Sequence, residues 1–206
     1  MSFLTAYFYD RFMANSEEAC LKVWRQELLK YVHGDVLEIG AGTGASIEYY
    51  PDNVAKLVLT EPDKHMLRIL KLNVSTRGLD KIHVTDDAAE QIHAEDESFD
   101  FVVTILVCCS VSNLEAMLQE IKRVLRSGGH FVFLEHVAAA EGSSRRRWQN
   151  RINPIWRPIM GNCHLNRETE EAILTAGFKI KEIKRESMRK AMPVVRPTIR
   201  GIAEKA

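Results

Sequence analysis

Val36-Leu37-Glu38-Ile39-Gly40-Ala41-Gly42-Thr43-Gly44 joins four residues typical of a buried strand to three glycines at alternate positions. The residues that follow can begin a helix. Because glycine lacks a Cβ atom, such a turn lets backbone N–H groups approach a ligand closely. A helix start adds unpaired N–H donors and the positive end of the helix dipole. We therefore predict that a small ligand carrying a carboxylate or phosphate binds at this turn.

The composition is that of a soluble protein of one domain. The 206 residues include 28 basic and 28 acidic side chains, so the chain lacks the basic excess that nucleic-acid binders usually carry. We expect no nucleic-acid partner. No apolar run reaches the roughly 18 residues of a membrane-spanning helix, and the first residues do not resemble a secretion signal. These features predict a cytoplasmic location.

The cysteines and histidines follow no metal-binding motif in the sequence. The four cysteines form no CxxC pair, and the seven histidines form no HExxH or similar cluster. Zinc sites built from local sequence motifs show such spacings. The sequence therefore predicts no metal site.

Strand and helix patterns alternate along the chain, which predicts an α/β fold with a doubly wound, mainly parallel sheet. The predicted strands are 36–39, 56–60, 82–85, 99–106, 130–136, 178–186 and 194–203. The predicted helices are 3–31, 45–50, 64–76, 114–125 and 167–176. Residues 141–165 are predicted to be irregular and polar. The last two strands follow each other without a helix, which predicts an antiparallel hairpin, unlike the common dinucleotide fold.

The glycine turn alone does not distinguish between two possible cofactors, a nicotinamide dinucleotide and S-adenosylmethionine. The string from Gly40 to Ala45 also fits GxGxxA, the dinucleotide fingerprint. Glu61, about 20 positions on, is placed to bind a ribose diol, which both a nicotinamide cofactor and S-adenosylmethionine contain. Glu38 favours the second, because a buried carboxylate needs a cationic or donor partner and this cofactor carries an ammonium and a sulfonium. Asp86-Asp87 ends the third strand, where a carboxylate can accept from an adenine amino group.

Two further strings complete a resemblance to class I S-adenosylmethionine-dependent methyltransferases. Residues 96–100, Asp-Glu-Ser-Phe-Asp, precede the fourth strand, and residues 124–129, Val-Leu-Arg-Ser-Gly-Gly, precede the fifth. The resemblance implies a seven-stranded sheet with an antiparallel last strand, S-adenosylmethionine as cofactor and S-adenosylhomocysteine as product. The cofactor-binding residues it implies are Glu38, Gly40, Ala41, Gly42, Gly44, Glu61, Pro62, Asp87, Ala88 and Leu106. The adenine contact stays open between Asp86, Asp87 and the backbone of Ala88.

The second half of the chain resembles a narrower group, the methyltransferase-like 7 thiol S-methyltransferases. The strings that carry this resemblance are 105–111 (ILVCCSV), 133–137 (FLEHV), 153–156 (NPIW), 161–167 (GNCHLNR) and 195–197 (VRP). The resemblance implies methyl transfer to a small-molecule acceptor, in the first place an alkyl thiol. We expect His136, at the end of a strand, to handle the acceptor, and Cys109 to line its pocket. The alternatives are a lipid or quinone acceptor, a nicotinamide-dependent oxidoreductase, and a cofactor-binding module without catalysis.

The predicted domain, 1–206, divides into three parts. Residues 1–31 form an N-terminal helical segment or lid, 34–140 the cofactor-binding core, and 141–206 an acceptor-side insertion with the terminal hairpin. Residues 3–9 are unusually aromatic. This stretch is open to three interpretations: peripheral contact with a membrane, a flap over the acceptor pocket, or an ordinary packed helix. The sequence carries no signal for an oligomeric state.

Overall fold

A single seven-stranded sheet organises the chain in the computed structural model, which describes residues 11, 13–76 and 81–205. Its strands are β1 (Gly34–Ile39), β2 (Val54–Thr60), β3 (Ile82–Thr85), β4 (Phe99–Ile105), β5 (Leu125–His136), β6 (Phe178–Ser187) and β7 (Pro197–Lys205). Their order across the sheet is β3-β2-β1-β4-β5-β7-β6. The β7 strand is antiparallel to both neighbours, whereas the pairs from β3 through β5 are parallel. The predicted fold class and the predicted terminal hairpin are both confirmed.

Helices cover both faces of this sheet. They are α1 (Lys22–Leu29), which continues a π-helical turn Glu17–Leu21, α2 (Lys64–Thr76), α3 (Leu114–Val124), α4 (Ser144–Ile159) and α5 (Thr169–Thr175). Short 3-10 turns occupy Ile47–Tyr49 and Pro193–Val195. The predictions for the aromatic stretch 3–9 lie outside the described residues.

Alternation along the central strands builds one apolar layer on each side of the sheet. Val103 and Leu134 face the layer that contains Trp24 and Leu70, whereas Phe133 faces the opposite layer. That second layer receives α3 and α5 through Met117, Leu118, Ile121 and Ile173. Period-two alternation with both faces buried is what a central parallel strand requires. The two layers hold the strand ends in place at the edge where the functional site lies.

The prediction that 141–165 is irregular was wrong, because most of it forms α4. The Oγ atom of Ser143 accepts from the backbone N–H of Arg146 at 3.1 Å and caps the helix. Pro154 and Pro158 lie inside α4, where proline is normally a helix breaker. The helix is anchored by the fully buried Gln149. Its side chain accepts from Ala139 N at 2.7 Å and donates to Val194 O at 2.8 Å. These long-range bonds leave no local sequence pattern.

Smaller differences occur at element ends. The predicted helix 45–50 is only the 3-10 turn Ile47–Tyr49. The fifth strand begins at Leu125 rather than at 130, and runs through the glycine pair 128–129. The last strand begins at Pro197, because residues 193–195 form a 3-10 turn.

Candidate active site

The glycine turn lies where β1 ends, beside the carboxyl ends of β2 and β4. All three glycines have positive φ, +64° at Gly40, +60° at Gly42 and +93° at Gly44. The backbone N–H of Ala41 donates to Thr60 O at 2.9 Å, which fixes the turn to the end of β2. Residues other than glycine adopt this left-handed backbone only at a cost, so the repeat of glycines follows from the path of the chain.

The three glycines differ in what surrounds them. A Cβ atom on Gly40 would lie 2.7 Å from Val107 Cγ2, and one on Gly44 would lie 2.6 Å from Ile47 Cδ1. At Gly42, the nearest atom to such a Cβ among the described residues is Met66 Sδ, 4.0 Å away. Gly40 and Gly44 are therefore required by packing inside the protein. Gly42 borders open space, as expected for the position that a ligand approaches.

Glu61 follows the last residue of β2 and is held by two backbone N–H groups. Its Oε2 accepts from Gly42 N at 2.8 Å, and its Oε1 accepts from Asp63 N at 2.9 Å. The residue is only 7% exposed, and this burial raises its pKa, while the two backbone hydrogen bonds act in the opposite direction. Each carboxylate oxygen keeps a further lone pair, so the group can still accept from two hydroxyls. Pro62 follows it and is exposed.

The structure changes the interpretation of Glu38. This residue is buried in β1, and Tyr50 donates its hydroxyl to Glu38 Oε2 at 2.9 Å. Burial raises the pKa of Glu38, while hydrogen bonds from Ser46 and Tyr50 and the charge of Arg25 act to lower it. The partner of this carboxylate is therefore supplied by the protein. The burial of Glu38 therefore does not by itself require a cationic ligand, and its contact with the cofactor stays a prediction; the residue lies directly under the glycine turn.

At the end of β3, the two adjacent aspartates have different surroundings. Asp86 is exposed, whereas Asp87 is 8% exposed. The carboxylate of Asp87 is 2.6 Å from His93 Nδ1 and accepts from His93 N at 3.2 Å. Ala88 is exposed beside it and forms an isolated bridge with Gln91. Of the three groups considered for the adenine contact, Asp87 is the one that other side chains hold in a fixed position.

The segment after β4 connects the glycine turn to β5. Leu106 has a φ of +61°, and its N–H donates to Leu134 O at 2.8 Å. The next residue, Val107, packs against Gly40, and its N–H donates to the buried carboxylate of Glu135 at 3.2 Å. A positive φ in a leucine is rare, and such strained residues concentrate at functional sites. Leu106 thus lies at the edge where the cofactor residues were predicted.

His136, Cys109 and Cys163 come together at the ends of β4 and β5. His136 Nε2 lies 3.0 Å from Cys163 Sγ, and the three potential ligand atoms all lie within 4.8 Å of one another. His136 Nδ1 is buried and has no hydrogen-bond partner among the described residues. The pKa of Cys163 is raised, mainly by a hydrogen bond to Cys109 and then by burial. The sequence predicted His136 and Cys109 at the acceptor side, but it did not point to Cys163.

A network of backbone contacts holds Cys163 in this place. His164 N donates to Cys109 O at 2.7 Å, and Asn162 Nδ2 donates to Ser110 O at 2.9 Å. Arg167 donates through one guanidinium nitrogen to Cys108 O and through another to Val111 O, the latter at 2.5 Å. Residues 162–167 are thereby fastened to residues 108–111. The strings 105–111 and 161–167, which resemble the thiol S-methyltransferases, thus form one structural unit. In the sequence, the only signal for this contact is the presence of Asn162 and Arg167, whose side chains make it.

A cleft of about 1030 Å³ opens next to this unit, between α4, α5 and the ends of β6 and β7. Its wall includes Val137, which follows His136 directly, together with Trp148 and Val194. Clefts of this size accommodate ligands as large as drug molecules. The cleft lies on the β7 side of His136, away from the glycine turn.

Comparison with known proteins identifies the family. A family model described as a methyltransferase domain matches residues 37–133. Thiol S-methyltransferase TMT1A of Homo sapiens is 36% identical over 172 residues, which cover 82% of this chain and 70% of that protein. The chain belongs to this methyltransferase family. Thiol S-methyltransferase TMT1B of Rattus norvegicus is 35% identical over 182 residues, 86% of this chain and 73% of that protein. A SAM-dependent methyltransferase from Aquifex aeolicus shares the fold, with a TM-score of 0.68 at 16% identity and full coverage of both chains.

This methyltransferase therefore uses S-adenosylmethionine as methyl donor and releases S-adenosylhomocysteine. The prediction of the enzyme class is confirmed, and the alternative of a nicotinamide-dependent oxidoreductase is excluded. The sheet topology agrees with this exclusion of an oxidoreductase. In this chain β7 is inserted antiparallel between β5 and β6, whereas the dinucleotide fold continues with parallel strands. Within the ranges that the structure describes, no helix has both the length and the apolar character needed to cross a bilayer.

Proposed function

We propose that this methyltransferase transfers the methyl group of S-adenosylmethionine to the sulfur of an alkyl thiol. The main support is that the likeness to the named thiol S-methyltransferases extends over 172 residues, whereas the general methyltransferase model ends at residue 133. The likeness therefore includes segments that differ between methyltransferases of different substrates. The cluster at the end of β5 agrees with a thiol, because polarizable sulfur ligands and an imidazole suit another sulfur.

The residues at the strand ends fit this cofactor. Gly42 leaves open space for it, and Glu61 is oriented to accept from its ribose hydroxyls. Asp87 and the backbone of Ala88 would hold the adenine. The predicted contacts from Gly40, Ala41, Gly44, Pro62 and Leu106 belong to the same edge, whereas Glu38 supports the turn from below through Tyr50. When bound, the cofactor supplies a methyl group already activated by the positive charge of its sulfonium.

The chain's own contribution is to hold the acceptor sulfur in line and to remove its proton. A free alkyl thiol has a pKa near 8.5, so only about a few per cent is thiolate at neutral pH. His136 Nε2 is directed toward the sulfur cluster and can accept a proton there. Cys109 and Cys163 shape the pocket around the sulfur. The acceptor sulfur would form a new bond to the methyl carbon while the bond from that carbon to the sulfonium sulfur breaks. The electron pair of the broken bond would stay on the sulfur of the cofactor.

The test is methyl transfer with a panel of acceptors and detection of the products by mass spectrometry. We expect alkyl thiols to be methylated, and His136→Ala to lower kcat/KM for the thiol by at least about tenfold while the affinity for S-adenosylmethionine is unchanged. His83→Ala, an exposed histidine of β3, is the matched control and should keep full activity. Methylation of lipids or quinones alone would replace the thiol as acceptor. Binding of the cofactor without turnover of any acceptor would contradict the proposal and would instead support a cofactor-binding module without catalysis.

We propose further that the enzyme works in the cytoplasm at the surface of an anionic membrane, which α4 contacts. Trp148, Ile155 and Ile159 of this helix are 56%, 68% and 66% exposed. They lie at helical spacing on one stripe, flanked by exposed arginines at 145, 147 and 151. Exposed apolar side chains beside arginines are typical of helices that lie in the interface of an anionic bilayer. The aromatic N-terminal stretch predicted for this contact is a second candidate for it.

A further inference from the structure

We propose that Cys109, His136 and Cys163 form a zinc site with an open fourth position, and that this position binds the acceptor thiol as a thiolate. The proposal rests on the thiol S-methylation proposed above and names the group that activates the acceptor. His136 Nε2 then acts as a zinc ligand instead of accepting the thiol proton directly, and loss of activity in His136→Ala follows from loss of the metal. It differs from the prediction made from sequence spacing, which found no metal motif. The three residues are 27 positions apart in each step, so no local pattern joins them.

The three potential ligand atoms lie close enough together to surround one ion. With zinc–sulfur bonds of about 2.3 Å and zinc–nitrogen bonds of about 2.0 Å, ligand sulfurs lie about 3.8 Å apart and a sulfur lies about 3.5 Å from a nitrogen. In this structure Cys163 Sγ and His136 Nε2 are 3.0 Å apart, and no pair in the cluster exceeds 4.8 Å. Side-chain movements of less than about 1 Å are enough to place all three atoms around one ion.

The three side chains come from segments that the backbone holds in place. His136 is the last residue of β5 and pairs with Thr198 of β7. Cys109 and Cys163 lie on two loops joined by the hydrogen bond from His164 N to Cys109 O at 2.7 Å. A preformed arrangement of two thiols and an imidazole is the ligand set of a known class of catalytic zinc site. Soft thiolates with an imidazole also select zinc over magnesium or calcium.

Exposure indicates which side of the site is open. Cys109 and His136 are 2% and 5% exposed, whereas Cys163 is half-buried. A structural zinc site would be closed by a fourth protein ligand, but the cluster has only three candidate ligands among the described residues. Catalytic zinc sites keep the fourth position for water or substrate. In the proposed site, two cysteine sulfurs already surround the open position, so the thiolate of the acceptor is a suitable fourth ligand.

The reaction balances without a further reactant. Binding of the thiol to zinc releases its proton to solvent, because a metal-bound thiol is deprotonated. The bound sulfur then attacks the methyl carbon, the bond from that carbon to the sulfonium sulfur breaks, and its electron pair remains on the cofactor as a neutral thioether. The methylated product is also a thioether, a weaker zinc ligand than a thiolate, so it leaves. The net change is thiol plus sulfonium to two thioethers and one proton.

The test is to measure metal on the full chain, purified under reducing conditions without chelator and then equilibrated with zinc alone. We expect about one zinc per chain, with Cys109→Ser and Cys163→Ser each losing the metal. Cys20→Ser, a buried cysteine outside the cluster, should keep it. Substitution by Co²⁺ should give the absorbance of thiolate-bound tetrahedral cobalt in wild type and in Cys20→Ser only. Loss of zinc from the cluster variants with unchanged affinity for S-adenosylmethionine would separate loss of the site from loss of folding.

Three results would overturn the proposal. The first is less than about a tenth of an equivalent of zinc and no cobalt spectrum in the wild-type chain. The second is a disulfide between Cys109 and Cys163 that persists under reductant, detected by a loss of two hydrogens in the mass. The third is full thiol methylation after removal of zinc by a chelator, which would leave the proposed function intact. Zinc binding without any thiol turnover would instead refute thiol methylation and retain only the metal site.

Discussion

Glu61 Oε2 accepts a hydrogen bond from the backbone N–H of Gly42 at 2.8 Å, which ties the end of β2 to the glycine turn after β1. The same carboxylate accepts from Asp63 N through its other oxygen. Glu61 is thus oriented before any ligand arrives, and the orientation comes from backbone groups that substitution cannot remove. Preorganised acceptors of this kind bind ligand hydroxyls with little loss of side-chain freedom.

Glu61→Gln should weaken binding of S-adenosylmethionine by about 10- to 100-fold, because hydrogen bonds to a charged group contribute about 1.5–3 kcal/mol. The amide nitrogen would also face a backbone N–H where the carboxylate now accepts. Isothermal titration calorimetry measures the effect. Glu48→Gln, an exposed carboxylate in the neighbouring 3-10 turn, is the control and should bind normally. Equal affinity in both variants would show that Glu61 is not in the cofactor site.

Substitution within the glycine motif should separate ligand binding from folding. Gly42→Val places a side chain into the space beside the turn and adds strain at a φ of +60°, so we expect cofactor binding to be lost while the chain folds with lower stability. Gly44→Ala instead meets Ile47 and Leu70 at 2.6 and 2.9 Å, and overpacking of this kind costs about 1–3 kcal/mol in addition to backbone strain. Thermal denaturation without cofactor, combined with calorimetry, distinguishes the two effects. The prediction is wrong if Gly42→Val binds the cofactor as wild type does.

The sheet and the glycine turn were predictable because their signals are local. Buried strands such as β4 are mostly apolar runs, and the glycines must follow β1 directly. Glu61 was assigned to the cofactor by its distance in sequence from the turn; the structure brings it to the turn, and its contact with the cofactor stays a prediction. For the strands and the glycine turn, residues next to one another in sequence determine the local structure, so the sequence alone is enough to predict these elements.

The acceptor side was only partly predictable, because there the contacts are long-range. Cys163 reaches His136 only because Asn162 and Arg167 fasten its loop to the segment after β4, and neither residue has a local pattern that indicates this. Helix α4 was missed because its prolines are breakers by propensity, while Gln149 holds the helix through bonds to distant backbone. The hydrogen-bond partner of Glu38 was missed for the same reason, because Tyr50 lies 12 positions away, outside the strand motif.

The His93–Asp87 pair should make stability depend on pH. The hydrogen bond that His93 donates to the Asp87 carboxylate raises the pKa of His93, so the folded state holds the proton more tightly than the unfolded chain. The stabilisation is fully present below the unfolded value of about 6.5 and is lost as the pH rises through the folded-state pKa. His93→Gln should therefore lower the melting temperature more at about pH 5.5 than at about pH 9. In an Asp87→Asn background the same substitution should show no such difference, and a pH-independent effect in both would contradict the pair.

Arg167 should be needed for the acceptor side more than for the cofactor side. Its guanidinium donates to Cys108 O and Val111 O, and Arg167→Met would leave these carbonyls without their donor. Each such loss costs about 1–3 kcal/mol, so the melting temperature should fall by several degrees and kcat/KM for the thiol should fall with it. Affinity for S-adenosylmethionine should stay close to that of wild type. Arg185→Met removes only an exposed ion pair with Glu170 and should change little, which makes it the comparison.

The exposed stripe of α4 should carry the proposed membrane contact. Replacing both Trp148 and Ile155 by alanine should weaken sedimentation with vesicles containing phosphatidylserine by about tenfold, because each removes apolar area from the interface. The binding of the wild-type protein should also fall at high salt and with neutral phosphatidylcholine vesicles, since the flanking arginines act through charge. Leu72→Ala, an equally exposed apolar residue on α2, is the matched control and should sediment normally. If the α4 variant binds vesicles as well as the Leu72 control, this helix is not the contact, and the comparison would then move to the aromatic N-terminal stretch.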